Sequence, residues 1–204
     1  KIHPMIVTFG TLNIFRFVAL QIFGDSQIPG VPGTFSFVGG SASAVTLGIP
    51  NAMWLAVVLV LIQWFYMRAY SGGRHVYAIG NDSRAARLAG INVDRKLMIL
   101  YITMGLLVAV AALVQLGAGG LVQQNVGIGL EMKVIAACVI GGTSVLGGRG
   151  TVLGTLLGAL LVGTVTSAIT LLGWSSELTN LFVGVFIIIA VGIDLLRQRR
   201  RAQL

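Results

Sequence analysis

The feature that most constrains this chain is the length of its apolar runs. Six of them, roughly 5–23, 51–69, 97–117, 131–147, 151–172 and 178–196, carry few charges and are separated by short polar stretches. An α-helix rises about 1.5 Å per residue, so about 20 apolar residues match the hydrocarbon thickness of a bilayer. A membrane β-barrel would show alternating strands of about 10 residues instead, and no such pattern occurs here. The chain is 56% hydrophobic and only 10% charged, with a mean hydropathy of +0.92. A soluble domain carries about a quarter charged residues and cannot bury this much apolar surface. The expected fold is all-α: a polytopic transmembrane helical bundle, with six spans in this chain.

The net charge of +8 does not point to nucleic acid, because the basic residues sit in short loops and at the C-terminus. That distribution orients membrane proteins, with positive loops on the cytoplasmic side. No Lys or Arg lies between Arg16 and Arg68, so the loop around 24–50, with Asp25, Pro29, Pro32 and Pro50, is expected outside. Six basic residues fall from Arg68 to Lys96, both included, which puts the 70–96 loop in the cytoplasm. Arg149 places the turn between the fourth and fifth segments on the same side, as does the tail Arg197, Arg199, Arg200, Arg201. Both ends of the chain are then cytoplasmic. The chain opens at Lys1 with no recognisable signal peptide and runs at once into an apolar segment, so its beginning is expected to be missing.

The chemistry-bearing residues are few. Cys138 is the single cysteine and lies in an apolar run, while His3 and His75 stand alone near segment ends, so neither a metal site nor a cofactor is implied. There is no phosphate-cradling Gly-x-x-x-x-Gly-Lys and no nucleophile beside a base, so no catalysis is expected of this chain. Gly150, Gly154 and Gly158 recur every four residues with Thr151 and Thr155 beside them, a smooth face suited to close helix packing.

The 70–96 loop is the most informative stretch. Asn81-Asp82-Ser83 can cap a helix through side-chain oxygens. Arg84 to Ala89 then read as about two helical turns, with Gly90 as the residue that ends them. Arg84 and Arg87 share one face, with Ala85, Leu88 and Ala89 on another. Such a helix can dock into a groove of a cytoplasmic partner; a loop helix resting on lipid headgroups explains the composition equally well.

Three stretches carry a resemblance. They are Tyr77-Ala78-Ile79-Gly80-Asn81 with Arg84 to Val93; Gly127-Ile128-Gly129-Leu130-Glu131-Met132-Lys133 with Gly141 to Gly150; and His3-Pro4-Met5-Ile6-Val7-Thr8-Phe9-Gly10-Thr11 followed by Arg16. Together they resemble the permease subunits of bacterial ATP-binding-cassette (ABC) importers for sugars, of the ribose, rhamnose and autoinducer-2 type. The resemblance covers nearly the whole chain, in order. It implies a subunit of about ten spans, of which this chain, residues 1–204 as a single permease domain, is the C-terminal part. It also implies a second permease subunit, identical or not, cytoplasmic ATPase subunits and an extracytoplasmic solute-binding protein. In such importers a cytoplasmic loop with a Glu-Ala-Ala---Gly pattern couples to the ATPase. Ala85, Ala86 and Gly90 match that spacing, while Arg84 stands where the pattern has glutamate. The coupling residues implied are Asn81, Asp82, Arg84, Ala85, Ala86, Arg87 and Gly90.

Ionisable groups inside a membrane are costly unless paired or hydrated. Arg16 lies well inside the first segment, and Glu131 and Lys133 stand at the start of the fourth; these three are candidates for the translocation path. Simpler accounts exist: a snorkelling or paired arginine, and a glutamate at the positive end of a helix dipole. Glu177 reads as a helix start, and Asp194 with Arg197 as a local pair. The fourth segment is short and Gly-rich at its end, and Gly141-Gly142 and Gly147-Gly148-Arg149-Gly150 can break it as a tight turn or as a hinge. The alternative function is an ion-coupled secondary transporter. It would want acids within the spans for coupling, whereas here the acids cluster near segment ends.

Overall fold

A computed structural model describes residues 4–23, 28–29, 45–119, 121–122, 127–145, 147–175, 178–186, 188–189 and 192. The chain order is α1 (Pro4–Phe23), β1 (Ile28–Pro29), β2 (Val45–Thr46), β3 (Ile49–Pro50), α2 (Asn51–Ala69), α3 (Ser71–Asn81), α4 (Ser83–Leu88), α5 (Val93–Gly119), β4 (Leu121–Val122), α6 (Leu130–Ile140) and α7 (Val152–Leu171). Helical backbone returns at 178–186. Glu177, Asp194, Arg197 and the rest of the basic tail lie outside the described residues, as does His3.

The described residues are overwhelmingly helical, as the apolar runs predict. Asn51–Ala69, Val93–Ala118 and Val152–Leu171 are long and apolar enough to cross a membrane. Their large side chains point outward rather than into a protein core: Leu61 is 56% exposed, Leu106 65% and Leu157 67%. Such surfaces are stable only against lipid or further helices. At the end of α2 the Arg68 guanidinium lies 5.2 Å from the Trp64 ring centroid, and Tyr66 stacks on Tyr70. Aromatic rings with a basic residue at a span's end are the usual furniture of the membrane–water boundary.

The chain packs as two compact units, with boundaries within α2, within α5 and just before Gly127. The first holds residues 1–55 and 104–126. Within it β1 pairs antiparallel with β4, and β2 with β3 in a tight hairpin turned by Leu47 and Gly48, both at positive φ. That hairpin is tied to α2 by Thr46 Oγ1 donating to Asn51 Oδ1 at 2.6 Å and Trp54 Nε1 donating to the Thr46 carbonyl at 3.3 Å.

The second unit holds residues 56–103 and 127–204. Here the helix expected over 131–147 is shorter: α6 stops at Ile140. The Gly142 N–H bonds the Val139 carbonyl and the Thr143 N–H the Cys138 carbonyl, with Gly142 at φ +84°. This is a Schellman closure, and its left-handed residue favours glycine. The 11 residues of α6 reach about 16 Å, half the hydrocarbon thickness. The glycines therefore end the helix as a turn.

α6 packs on α7 through the glycines of that face. A Cβ on Gly158 would strike the Ala137 carbonyl, and one on Gly154 the Gly141 carbonyl. Gly150 differs from the expectation: it lies outside α7, against Thr143. Around this contact sits a small core of Ala136, Ala137, Val162 and Val183, with Ile140 against it. Small residues let two backbones approach where lipid offers no hydrophobic drive to association. Thr151 caps α7 by accepting from the Gly154 N–H at 3.0 Å.

Candidate functional site: the 70–96 loop and its bracing

The loop between α2 and α5 is a compact run of helices in the second unit. Its first member, α3, was not evident in the sequence, because Gly72, Gly73 and Gly80 are poor helix formers. Tertiary contact supplies what propensity lacks: a Cβ at Gly73 would press on the Met67 backbone at 2.6 Å, so the chain turns tightly from α2 into α3.

Asp82 ends α3 and starts α4. Its own N–H bonds the Ala78 carbonyl, while its Oδ1 accepts from the Arg84 N–H at 2.8 Å and the Ala85 N–H at 3.1 Å. These bonds from Ala85 and Arg84, with the nearby Arg84 charge, hold its carboxyl below the ordinary value of 3.8. A lowered pKa means that the cap stabilises the fold above that ordinary value and loses its effect as pH falls through the folded one. Asp82→Ala is thus expected to lower the melting temperature of the purified protein at neutral pH, with Asp82→Asn keeping most of it. The wild-type advantage over Ala should be full above a pH of 3.8 and shrink as pH falls below it. A set of melting curves against pH checks this, and a difference that disappears near neutrality refutes it.

The far end of α4 is closed just as firmly. The Gly90 N–H bonds the Arg87 carbonyl and the Ile91 N–H the Ala86 carbonyl, both at 3.0 Å, with Gly90 at φ +82°. This second Schellman closure brings Ile91 onto the cluster of Ile79, Ala86 and Val93. Asn92 Oδ1 then caps α5 by accepting from the Arg95 N–H.

The cap and the end of α4 agree with the sequence expectation, and the structure adds which residue turns inward. Of the helix, Ala86 is the buried residue, at 4% exposure. Ala85 and Ala89 are exposed and Leu88 is 91% exposed, so the expected apolar face of Ala85, Leu88 and Ala89 looks outward. Residue pattern alone does not single out Ala86, since a six-residue helix is too short for periodicity to separate its sides. Arg84 and Arg87 are exposed as well, and Arg87 holds Asp94 at 2.7 Å beside an open cleft of about 270 Å³ lined by Arg87, Gly90, Ile91, Asn92, Val93 and Asp94. α4 thus presents a basic rim around an apolar knob, on a scaffold pinned at both ends.

The remaining candidates are not part of this scaffold. Arg16 is half-buried on α1 in the first unit. Glu131 and Lys133 are half-buried in the first turn of α6, in the second. Among the described residues no cluster of His, Cys, Asp and Glu could hold a metal ion.

Against known proteins, the profile of a family described as branched-chain amino acid transport system / permease component matches residues 1–191. A ribose import permease protein of Escherichia coli K12 is 38% identical over 195 residues, covering 95% of this chain and 61% of that protein. A fructose import permease protein of Rhizobium meliloti is 36% identical over 199 residues, covering 95% and 55%. An autoinducer 2 import system permease protein of Photorhabdus laumondii is 34% identical over 197 residues, covering 93% and 58%. The chain thus spans less than two thirds of the length of these relatives. No solved structure matches it. The match over residues 1–191, on a chain of long apolar helices, establishes the class: this protein belongs to the family of multi-pass membrane permease components of transport systems.

Proposed function

We propose that the chain is a membrane-spanning part of a permease subunit in an ABC importer, translocating a small sugar or sugar-like solute of the ribose, rhamnose or autoinducer-2 class. The chain itself moves solute, and ATP is hydrolysed on separate cytoplasmic subunits. An extracytoplasmic binding protein delivers the solute, and a second permease subunit completes the path. Residues 70–96 face the cytoplasm and α4 seats in a cleft of the ATPase, with Arg16, Glu131 and Lys133 as candidates along the path.

The observation that carries this reading is the presentation of α4. A free loop would lose conformational entropy on docking, whereas α4 is already ordered by Asp82, Gly90 and the Ala86 cluster. Its exposed Leu88, Arg84 and Arg87 are the kinds of side chain a partner's pocket and acidic rim would take. Similarity to import permeases for ribose, fructose and autoinducer 2 supports this solute class.

The test is a charge reversal. In the permease purified with its ATPase, Arg84→Glu with Arg87→Glu should reduce co-purification of the ATPase by about tenfold or more, the scale of losing interfacial charge contacts. ATP-driven uptake of radiolabelled D-ribose, D-fructose or D-allose into proteoliposomes should fall with it. Intact assembly and uptake would refute the docking role. Uptake that runs without ATP and collapses with a proton or sodium ionophore would favour an ion-coupled transporter instead.

A further inference from the structure

Two stretches 66 or more residues apart in sequence, α3 and the segment 147–150, meet within the second unit without any side chain between their backbones. A Cβ on Gly80 would lie 2.5 Å from the Gly148 nitrogen, and one on Gly147 would lie 2.8 Å from the Gly80 carbonyl oxygen. A Cβ on Gly148 would lie 2.8 Å from the Asn81 Cα. One turn earlier on the same face of α3, the Tyr77 hydroxyl donates to the Gly150 carbonyl at 2.9 Å. Tyr77, Gly80 and Asn81 therefore grip the segment that joins α6 to α7.

That segment is itself stiff. The Ser144 N–H bonds the Arg149 carbonyl at 3.0 Å, and the Gly147 N–H bonds the Ser144 carbonyl at 3.2 Å. The Thr143 and Thr155 hydroxyls meet at 3.2 Å, tying it to α7. At the other end of the grip, Asp82 is shared as the last cap of α3 and the first of α4, with no slack residue between them.

We infer that this backbone clasp, with Tyr77 as its positioning residue, carries displacement of α4 into the α6–α7 hairpin. Movement applied to α4 passes through Asp82 to α3, and from α3 through Tyr77 and Gly80 to Gly148 and Gly150. The 141–150 segment then moves as one piece with the cytoplasmic loop rather than bending as an independent hinge. The inference rests on the docking of α4 proposed above.

A probe that needs no knowledge of the solute tests it. Val145 is 58% exposed within the clasped segment. In the permease–ATPase complex carrying Cys138→Ser and Val145→Cys, maleimide labelling is measured with and without ATP and vanadate. With Tyr77 present, nucleotide should change the labelling rate by about threefold or more, within the range of coupling carried by packed networks. Tyr77→Phe, which removes one hydroxyl and keeps the ring, should abolish that change while ATPase co-purification, ATP hydrolysis and melting temperature stay as in the parent. A purely structural Tyr77 would instead shift the melting temperature and leave the nucleotide response in place. Labelling that ignores nucleotide in the parent, or responds equally in Tyr77→Phe, overturns the clasp. Docking fails separately, on the Arg84 and Arg87 reversal, so the two ideas fall on different results.

Discussion

Replacing Gly158 by leucine should leave little folded protein in the membrane, whereas the same change at Gly163, five residues along the same helix, should be tolerated. The two glycines look alike in sequence, but only one faces α6. A Cβ on Gly158 would run into the Ala137 carbonyl and approach the Gly141 nitrogen at 2.9 Å, both rigid backbone. At Gly163 nothing lies within 4 Å. Forcing side-chain atoms into a packed contact typically costs about 1–3 kcal/mol, and here the obstacle is a helix backbone with no rotamer to give way. The core around α6 and α7, made of Ala136, Ala137 and Val162 with Val183 from the 178–186 stretch, is small, so a separation of these helices removes most of what holds them. The yield of monodisperse permease after detergent extraction is the readout: at least a fivefold loss for Gly158→Leu, on the scale of about 1 kcal/mol or more, and near-parental yield for Gly163→Leu. Equal yields would show that the helices are not in contact as described.

The second large effect separates the adjacent alanines of the α4 motif. Ala86→Asp places a carboxylate in the cluster of Ile79, Val93 and Ile91, where no cationic partner is in the cluster. Burying an unpaired charge costs several kcal/mol or drives local unfolding. This variant should lose the order of the whole loop, seen as fast protease cleavage between α3 and α5. Ala85→Asp sits on the exposed side and should stay within about 0.5 kcal/mol of the parent. Its protease pattern should be unchanged, yet its acidic side chain now meets the surface that Arg84 and Arg87 flank, so recovery of the ATPase should drop. Limited proteolysis and co-purification, run side by side, tell the two apart. Matching behaviour of both variants would mean that the orientation of α4 is wrong.

These pairs mark the boundary of what could be read from residues alone. Apolar length and the positions of charge announce a helical membrane protein, because bilayer thickness acts on each span separately. Asp82 and Gly90 announce the ends of α4, because caps are local chemistry that depends on side-chain type and handedness. The sidedness of α4 was not legible, since what turns Ala86 inward is contact with Ile79 and Val93 on other helices. The run of α3 was hidden for a similar reason: its glycines argue against helix, and the backbone contacts that make them necessary come from Met67 and Gly148. Glycine-to-glycine contact leaves no complementary pattern of charge or size in the sequence. The roles of Arg16, Glu131 and Lys133 depend on surroundings that residue type does not fix.

The shortness of α6 also bears on how the chain is made. Insertion machinery sorts nascent segments by whether they are long and apolar enough to be at home in lipid, and 11 helical residues fall well below the about 20 that suffice. α6 is thus expected to settle only once α7 is available, since Gly154 and Gly158 receive Gly141 and Ala137. Biogenesis of this region is then expected to end with α6 docking on α7 after both have been made.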